Sequence, residues 1–243
     1  MKVEGYEKYE EFFREYSAVF HHGKIISALP YMIEAVTNAL ADVYDMKYCD
    51  KGRWWYGEWE GDRRKVVTLG SPKGTCRNIC WGWNYNYIPR KTNSDKFTYA
   101  RTEKSVHMDI GDSYLFHLDY HPDNMTCYDL MYMGYNYELP KDTNDIEEAR
   151  KHMKIVCERN IPFIMDYFDA TPDDEAALAE LERRKKEKPW LFTFSSDGWT
   201  RAFMFAKQGR LEEAKYIISH EYYSDGYCPE DVLKKLTSLA DGL

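Results

Sequence analysis

Residues 114–124 read YLFHLDYHPDN and place His117, Asp119 and His121 at every second position. Because successive side chains of a strand point to opposite faces, these three side chains would share one face of a strand. Imidazole and carboxylate groups are zinc ligands, so the pattern suggests a metal-dependent hydrolase. However, His117 and His121 would lie roughly 13 Å apart along that strand, too far for both to bind one ion.

A hairpin offers a more compact version of the same metal site. The upstream segment VHMDI, followed by residues 111–113, predicts two strands joined by a three-residue loop, because only this register gathers the apolar side chains on one face. His107 then faces His117, with Asp109 or Asp119 completing a site. Such a polar face is also typical of any half-exposed antiparallel sheet. We interpret it as solvated, keep His107, His117 and Asp119 as candidate metal ligands for the alternative hydrolase, and expect no cofactor.

Composition limits the classes of function. The 243-residue chain has a formal net charge of −8, which argues against a general binder of nucleic acid and fits a basic protein partner. No apolar run approaches the ~18 residues of a membrane span, and the charged N-terminal stretch MKVEGYEKYEEFF lacks the apolar core of a signal peptide. The cysteines form no Cys-x-x-Cys pair. We expect a cytoplasmic protein that does not associate with membranes.

The hydrophobic periodicity predicts an α+β fold. Helical spacing over residues 6–23 and from Leu29 to Tyr44 gives way to a period of two, and the helical period returns after Pro140. A meandering antiparallel sheet of about six strands is the economical topology, because the short loops leave no room for crossover helices. The predicted strands cover residues 53–59, 65–69, 78–88, 97–102, 105–110, 114–121 and 130–137.

The C-terminal part is predicted to be helical and to pack on or beside the sheet. We expect helices over residues 145–158, in a short segment after Pro162, after Thr171, over residues 196–208 and 211–222, and from Pro229 onward. The stretch ELPKDTND is the one credible linker. Residues 1–140 would then form a sheet domain and residues 141–243 a helical part, or the two would form one continuous domain.

The strand NICWGWNYNYI shows the clearest alternation in the chain. Its aromatic face could be core, or it could stack the bases of a single-stranded nucleic acid. A locally basic segment follows the strand and supports the second alternative; its cations are Arg90, Lys91, Lys96, Arg101 and Lys104. Burial of the rings is the prediction we favour, because the opposite face of the strand is too small and polar to form the apolar side of a sheet.

Within residues 30–90, a predicted helix is followed by the segments CDKGRWWYGEW, VVTL and ICWGWNY. This arrangement resembles a family of uncharacterised bacterial α+β domains of unknown function, some of which are immunity-like or accessory proteins in bacterial conflict systems. The matching positions are Gly52, Arg53, Trp55, Tyr56, Val66, Val67 and Gly82. What this resemblance implies is a fold rather than a reaction.

Together these patterns favour a non-enzymatic, acidic protein-binding protein. An immunity-like or accessory protein that engages a basic partner is the most specific form of this hypothesis. The contact surface is expected in the tyrosine-rich acidic segment EYYSDGYCPED, since exposed Tyr residues act as anchors at interfaces. The candidate contact residues are Tyr222, Tyr223, Asp225, Tyr227, Glu230 and Asp231.

Overall fold

The computed structural model describes residues 26–27, 29–70, 76–91, 96–100, 102, 105–113, 139–140, 142–143, 145–187, 197–223 and 225–242. The predicted helix over residues 6–23 and the predicted strands over residues 114–121 and 130–137 lie outside these residues.

The described residues form an α+β fold with helices at both ends and an antiparallel sheet, which confirms the predicted fold class. The α-helices are α1 (Leu29–Ala41), α2 (Ile146–Ala170), α3 (Asp174–Glu187), α4 (Asp197–Lys207), α5 (Leu211–Ile217) and α6 (Glu230–Ala240), and a π-helix covers Ile218–Tyr222. The strands are β1 (Ile26–Ser27), β2 (Lys47–Cys49), β3 (Trp54–Tyr56), β4 (Arg63–Gly70), β5 (Cys76–Tyr85), β6 (Arg90–Lys91), β7 (Phe97–Thr98), β8 (Ile110–Ser113), β9 (Leu139–Pro140) and β10 (Asp142–Thr143).

The main sheet has the strand order β2-β3-β4-β5-β8, with β9 paired to β5. Neighbouring strands β2 to β5 follow chain order, as expected for a meander, and β2 pairs with β3 antiparallel, with Lys47 opposite Tyr56. The pairs β6–β7 and β1–β10 form separate two-stranded sheets.

The predicted hairpin loop at residues 111–113 is wrong. Gly111, Asp112 and Ser113 belong to β8, and no strand covers residues 105–109. Strand β8 neighbours β5 in the sheet, and the two backbones approach so closely that a Cβ at Gly82 would collide with Ile110 and Gly111. The alternation of polar and apolar residues could not reveal that contact.

By its contacts the chain divides into two compact units. The first contains the described residues of segments 1–57, 67–81 and 112–166, and the second those of segments 58–66, 82–111 and 167–243. In the first unit, α1 buries Met32, Val36 and Leu40, which share the helical spacing seen in the sequence.

Helix α2 continues through Pro162, where we predicted a break. A proline inside a helix removes one backbone hydrogen bond and costs roughly 3 kcal/mol. The buried positions Met153, Val156, Ile164 and Tyr167 form one apolar stripe on both sides of the proline, while Pro162 itself is exposed. Burial of that stripe outweighs the cost, so the helix remains continuous.

The second unit contains α3 to α6, and their ends follow the sequence signals closely. The side chain of Asp173 caps α3, the helix predicted after Thr171, by accepting a hydrogen bond from the backbone N–H of Ala176 at 2.8 Å. Gly209 ends α4 with a φ of 76°, and the Arg210 N–H reaches the carbonyl of Phe205 at 2.9 Å, which is a Schellman motif.

The aromatic face of β5 is buried, as we predicted. The exposed fractions of Trp81, Trp83 and Tyr85 are 0%, 1% and 0%. The opposite face is also buried, since Asn84 is fully enclosed and accepts a hydrogen bond from Arg64 at 3.1 Å. The rings of β5 are therefore unavailable for stacking on nucleic-acid bases.

Candidate protein-binding surface

The six residues predicted to contact a partner lie at the end of the π-helix, in the turn after it and at the start of α6. We call this group the tyrosine surface: Tyr222, Tyr223, Asp225, Tyr227, Glu230 and Asp231. Tyr222 and Tyr227 are 42% and 61% exposed, and the three carboxylates are also exposed. Tyr223 is half-buried, and its ring contacts both exposed rings.

The backbone beneath the surface departs from regular α-helix. The N–H of Tyr223 reaches the carbonyl of Ile218 at 2.8 Å, five residues back, as in a π-helix. The Ser219 hydroxyl donates to the helix carbonyls around it, and a left-handed turn at Asp225 and Gly226 leads toward α6. Single π turns occur often at functional sites, because they redirect side chains that an α-helix would place elsewhere.

The aromatic rings of this region form a continuous chain. The ring of Trp199 lies 5.1 Å from that of Tyr222, which lies 5.0 Å from Tyr223, and Tyr223 lies 5.8 Å from Tyr227. The last two pairs are nearly perpendicular, at 86° and 83°. Trp199 is buried and donates its indole N–H to the Pro89 carbonyl at 2.7 Å, so the chain of rings is anchored in the core of the second unit.

A network of ion pairs connects the π-helix to two neighbouring helices. Glu221 accepts hydrogen bonds from Arg201 at 2.5 Å and from Lys185 at 2.9 Å, and the same two cations also pair with Glu182 and Asp197. Burial alone would raise the pKa of Glu221, but the hydrogen bonds from Lys185 and Arg201 outweigh it and hold that pKa below its usual value. Glu221 is therefore ionised at neutral pH and ties the π-helix to α3 and α4.

An acidic groove of about 740 Å³ begins at Glu221. Its lining includes the apolar side chains of Leu178, Phe205 and Ile217. Its five carboxylates outnumber its two guanidiniums, those of Arg201 and Arg210, which gives the lining a formal charge of −3. The carboxylates belong to Glu175, Glu182, Glu212, Glu213 and Glu221. Four of these carboxylates form ion pairs with Arg201, Arg210, Lys185 or Lys215, and Glu221 directly precedes Tyr222 of the tyrosine surface.

The candidate metal ligands are not assembled in the described part of the chain. His107 is only 3% exposed, so the prediction that it lies on a solvated face is wrong. Its Nε2 approaches Asp109 Oδ1 at 2.8 Å, in a close contact rather than an aligned hydrogen bond. No group of three or more His, Cys, Asp or Glu residues with metal-site geometry occurs among the described residues, and His117 and Asp119 lie outside them.

Asp109, the residue that His107 approaches, has a structural role. Its Oδ2 accepts hydrogen bonds from the backbone N–H of Tyr85 at 2.7 Å and from the Asn84 amide at 3.0 Å. The Thr200 hydroxyl donates to the Asp109 carbonyl at 2.8 Å. These bonds hold the segment before β8 against β5 and α4.

The sequence contained signals for the tyrosine surface but not for the ion network and the π-helix that hold it in place. Exposed tyrosines beside acids, a glycine and a proline marked a polar turn at residues 221–231. The ion network joins Glu182, Arg201 and Glu221, which lie 19 and 20 residues apart. The π-helix left no recognisable pattern in the sequence, because its residues fit ordinary helical spacing.

Comparisons of the chain with protein-family models, curated proteins and solved structures gave no match. The family resemblance of residues 30–90 therefore stays a prediction. No helix of the described residues is both long and apolar enough to cross a membrane.

Proposed function

We propose that this chain is a non-enzymatic protein-binding protein whose tyrosine surface engages a basic partner. The observation that carries the proposal is a concentration of exposed rings. Five large hydrophobic side chains are exposed among the described residues, and two of them, Tyr222 and Tyr227, belong to the tyrosine surface, where ring contacts through Tyr223 connect them. Clustered exposed aromatic side chains are typical of interaction sites.

The charge of this region supports a basic partner. The exposed carboxylates of Asp225, Glu230 and Asp231 lie close to the rings in sequence, the lining of the neighbouring groove has more carboxylates than guanidiniums, and the whole chain has a formal net charge of −8. Such a potential speeds association with a positively charged protein and disfavours nucleic acid and other acidic partners. Tyrosine rings then provide contact area at low entropic cost, because they have few rotatable bonds.

An immunity-like or accessory role is the most specific form of the proposal. The resemblance of residues 30–90 to a family of uncharacterised bacterial domains, some of them immunity-like, supports it, and so does the combination of acidic charge with aromatic anchors. A protein of this kind acts by occupying the surface of one target, which requires a rigid contact surface. The ion network under the π-helix and the buried Trp199 provide that rigidity.

Photo-crosslinking in the native host tests the proposal. A photoreactive amino acid at position 227 should capture a basic protein, whereas the same group at the exposed position Met165 on α2 should not. Reversing the charges of Asp225, Glu230 and Asp231 to lysine should abolish the crosslink, while melting curves show that the variant still folds, at a melting temperature lowered by the loss of acids from the first turn of α6. Capture of an acidic protein, or equal crosslinking after charge reversal, would contradict the proposal.

A further inference from the structure

We infer that the part of the partner that docks on the tyrosine surface is a basic, proline-rich segment in the polyproline II conformation. This inference rests on the proposed function and names the chemistry of the bound segment. Three properties of the surface carry it: the angles between its rings, its hydroxyl groups and the placement of its carboxylates.

The ring geometry fits pyrrolidine rings. Tyr223 stands nearly perpendicular to both Tyr222 and Tyr227, with centroids 5.0 and 5.8 Å apart. Tyr222 and Tyr227 therefore present two exposed rings on either side of the half-buried Tyr223. Proline-rich segments dock on aromatic-lined surfaces of this kind, and their stiff backbone loses little conformational entropy on binding.

The hydroxyl groups fit the backbone of such a segment. Within the described residues, no hydrogen-bond partner is found for the phenolic oxygens of Tyr222, Tyr223 and Tyr227. A polyproline II helix has no internal hydrogen bonds, so all its carbonyl groups can accept from these hydroxyls. A bound β-strand would instead need a sheet edge, and the surface consists of a helix end, a turn and a helix start.

The carboxylates of the tyrosine surface indicate that the bound segment of the partner is positively charged. Asp225 lies in the turn between the ring of Tyr223 and that of Tyr227, while Glu230 and Asp231 open α6 directly after them. Lysine or arginine residues that flank the prolines would meet these exposed carboxylates. An amphipathic helix fits less well, because its continuous apolar face would cover these charges.

The test uses fluorescein-labelled 12-residue peptides and fluorescence anisotropy with the full chain at low salt. One peptide alternates lysine with pairs of prolines, a second has glycine in place of each proline, and a third is a basic amphipathic helix of equal charge. We expect the proline peptide to bind roughly tenfold more tightly than the glycine peptide, the effect of one good aromatic anchor.

Variants assign the binding to the rings. Tyr222→Ala and Tyr227→Ala should each weaken binding of the proline peptide by roughly tenfold. Tyr216→Ala is the matched control, because Tyr216 is 59% exposed but stacks on His220 instead of joining the chain of rings. It should leave the affinity unchanged. Melting curves check that each variant folds.

The outcomes separate this inference from the proposed function. Equal or weaker binding of the proline peptide relative to the glycine or helical peptide overturns the polyproline inference. The proposed function has its own readout, the crosslink at position 227. A basic crosslinked protein without a proline-rich contact segment would sustain the function and overturn the inference. Loss of affinity in Tyr216→Ala equal to that in Tyr227→Ala would also overturn it.

Discussion

Replacing Trp83 by alanine should remove a large part of the stability of the protein. Trp83 is 1% exposed, packs edge-to-face on Phe168 with centroids 5.0 Å apart, and lies 4.0 Å under the guanidinium of Arg63. Its indole N–H donates to the Thr171 hydroxyl at 2.8 Å. The side chain therefore contributes through packing, through a cation–π contact and through a buried hydrogen bond.

These contacts determine how much the free energy of unfolding should fall in Trp83→Ala. Truncation of a buried aromatic ring costs roughly 3–5 kcal/mol, and loss of a hydrogen bond adds about 1 kcal/mol. The Thr171 hydroxyl stays paired, because it also donates to the Tyr167 carbonyl at 2.7 Å. We expect Trp83→Ala to lower the free energy of unfolding by about 4–6 kcal/mol, against a typical total of 5–15 kcal/mol.

Urea unfolding followed by circular dichroism measures this loss without depending on tryptophan fluorescence. Trp83→Phe is the matched control, since it keeps an aromatic ring beside Phe168 and Arg63. It should cost only about 2 kcal/mol, from a smaller ring and the lost hydrogen bond. A loss below about 1 kcal/mol for Trp83→Ala, with an unchanged slope, would refute the reasoning and would indicate that the ring is free to serve a ligand.

Two further predictions concern the supports of the fold. Glu221→Gln should lower the melting temperature at neutral pH, because it weakens the link to Lys185. The folded-state pKa of Glu221 is depressed, so the stabilisation by its carboxylate is present above the unfolded pKa and is lost as the pH falls through the folded pKa. The difference in melting temperature between wild type and variant should therefore disappear below about pH 4. A difference in melting temperature that increased at acidic pH would contradict the stabilising role of the ionised Glu221 side chain. Pro162→Ala should raise the free energy of unfolding by roughly 1–3 kcal/mol in urea, because it restores a hydrogen bond inside the continuous helix α2. A destabilised variant would show that the proline has a packing role.

Local chemistry made several elements predictable from the sequence. The spacing of Met32, Val36 and Leu40 predicted α1, and Gly209 marked the end of α4, because helical periodicity and left-handed turns depend on neighbouring residues. The alternation in residues 79–87 predicted a buried aromatic face on β5. The acidic, tyrosine-rich composition of residues 221–231 was enough to select them as the candidate contact surface.

Tertiary structure decided what these local patterns could not. His107 occurs in an alternating polar pattern, yet it is buried beside Asp109, and residues 111–113 lie in β8 instead of the predicted loop. Pro162 carries a local signal for a break that the burial of a long apolar stripe overrides. The network around Glu221 unites side chains from three separate elements. Composition and periodicity thus determined the fold class and the character of the surface, whereas the burial of polar groups depended on contacts between residues far apart in the chain.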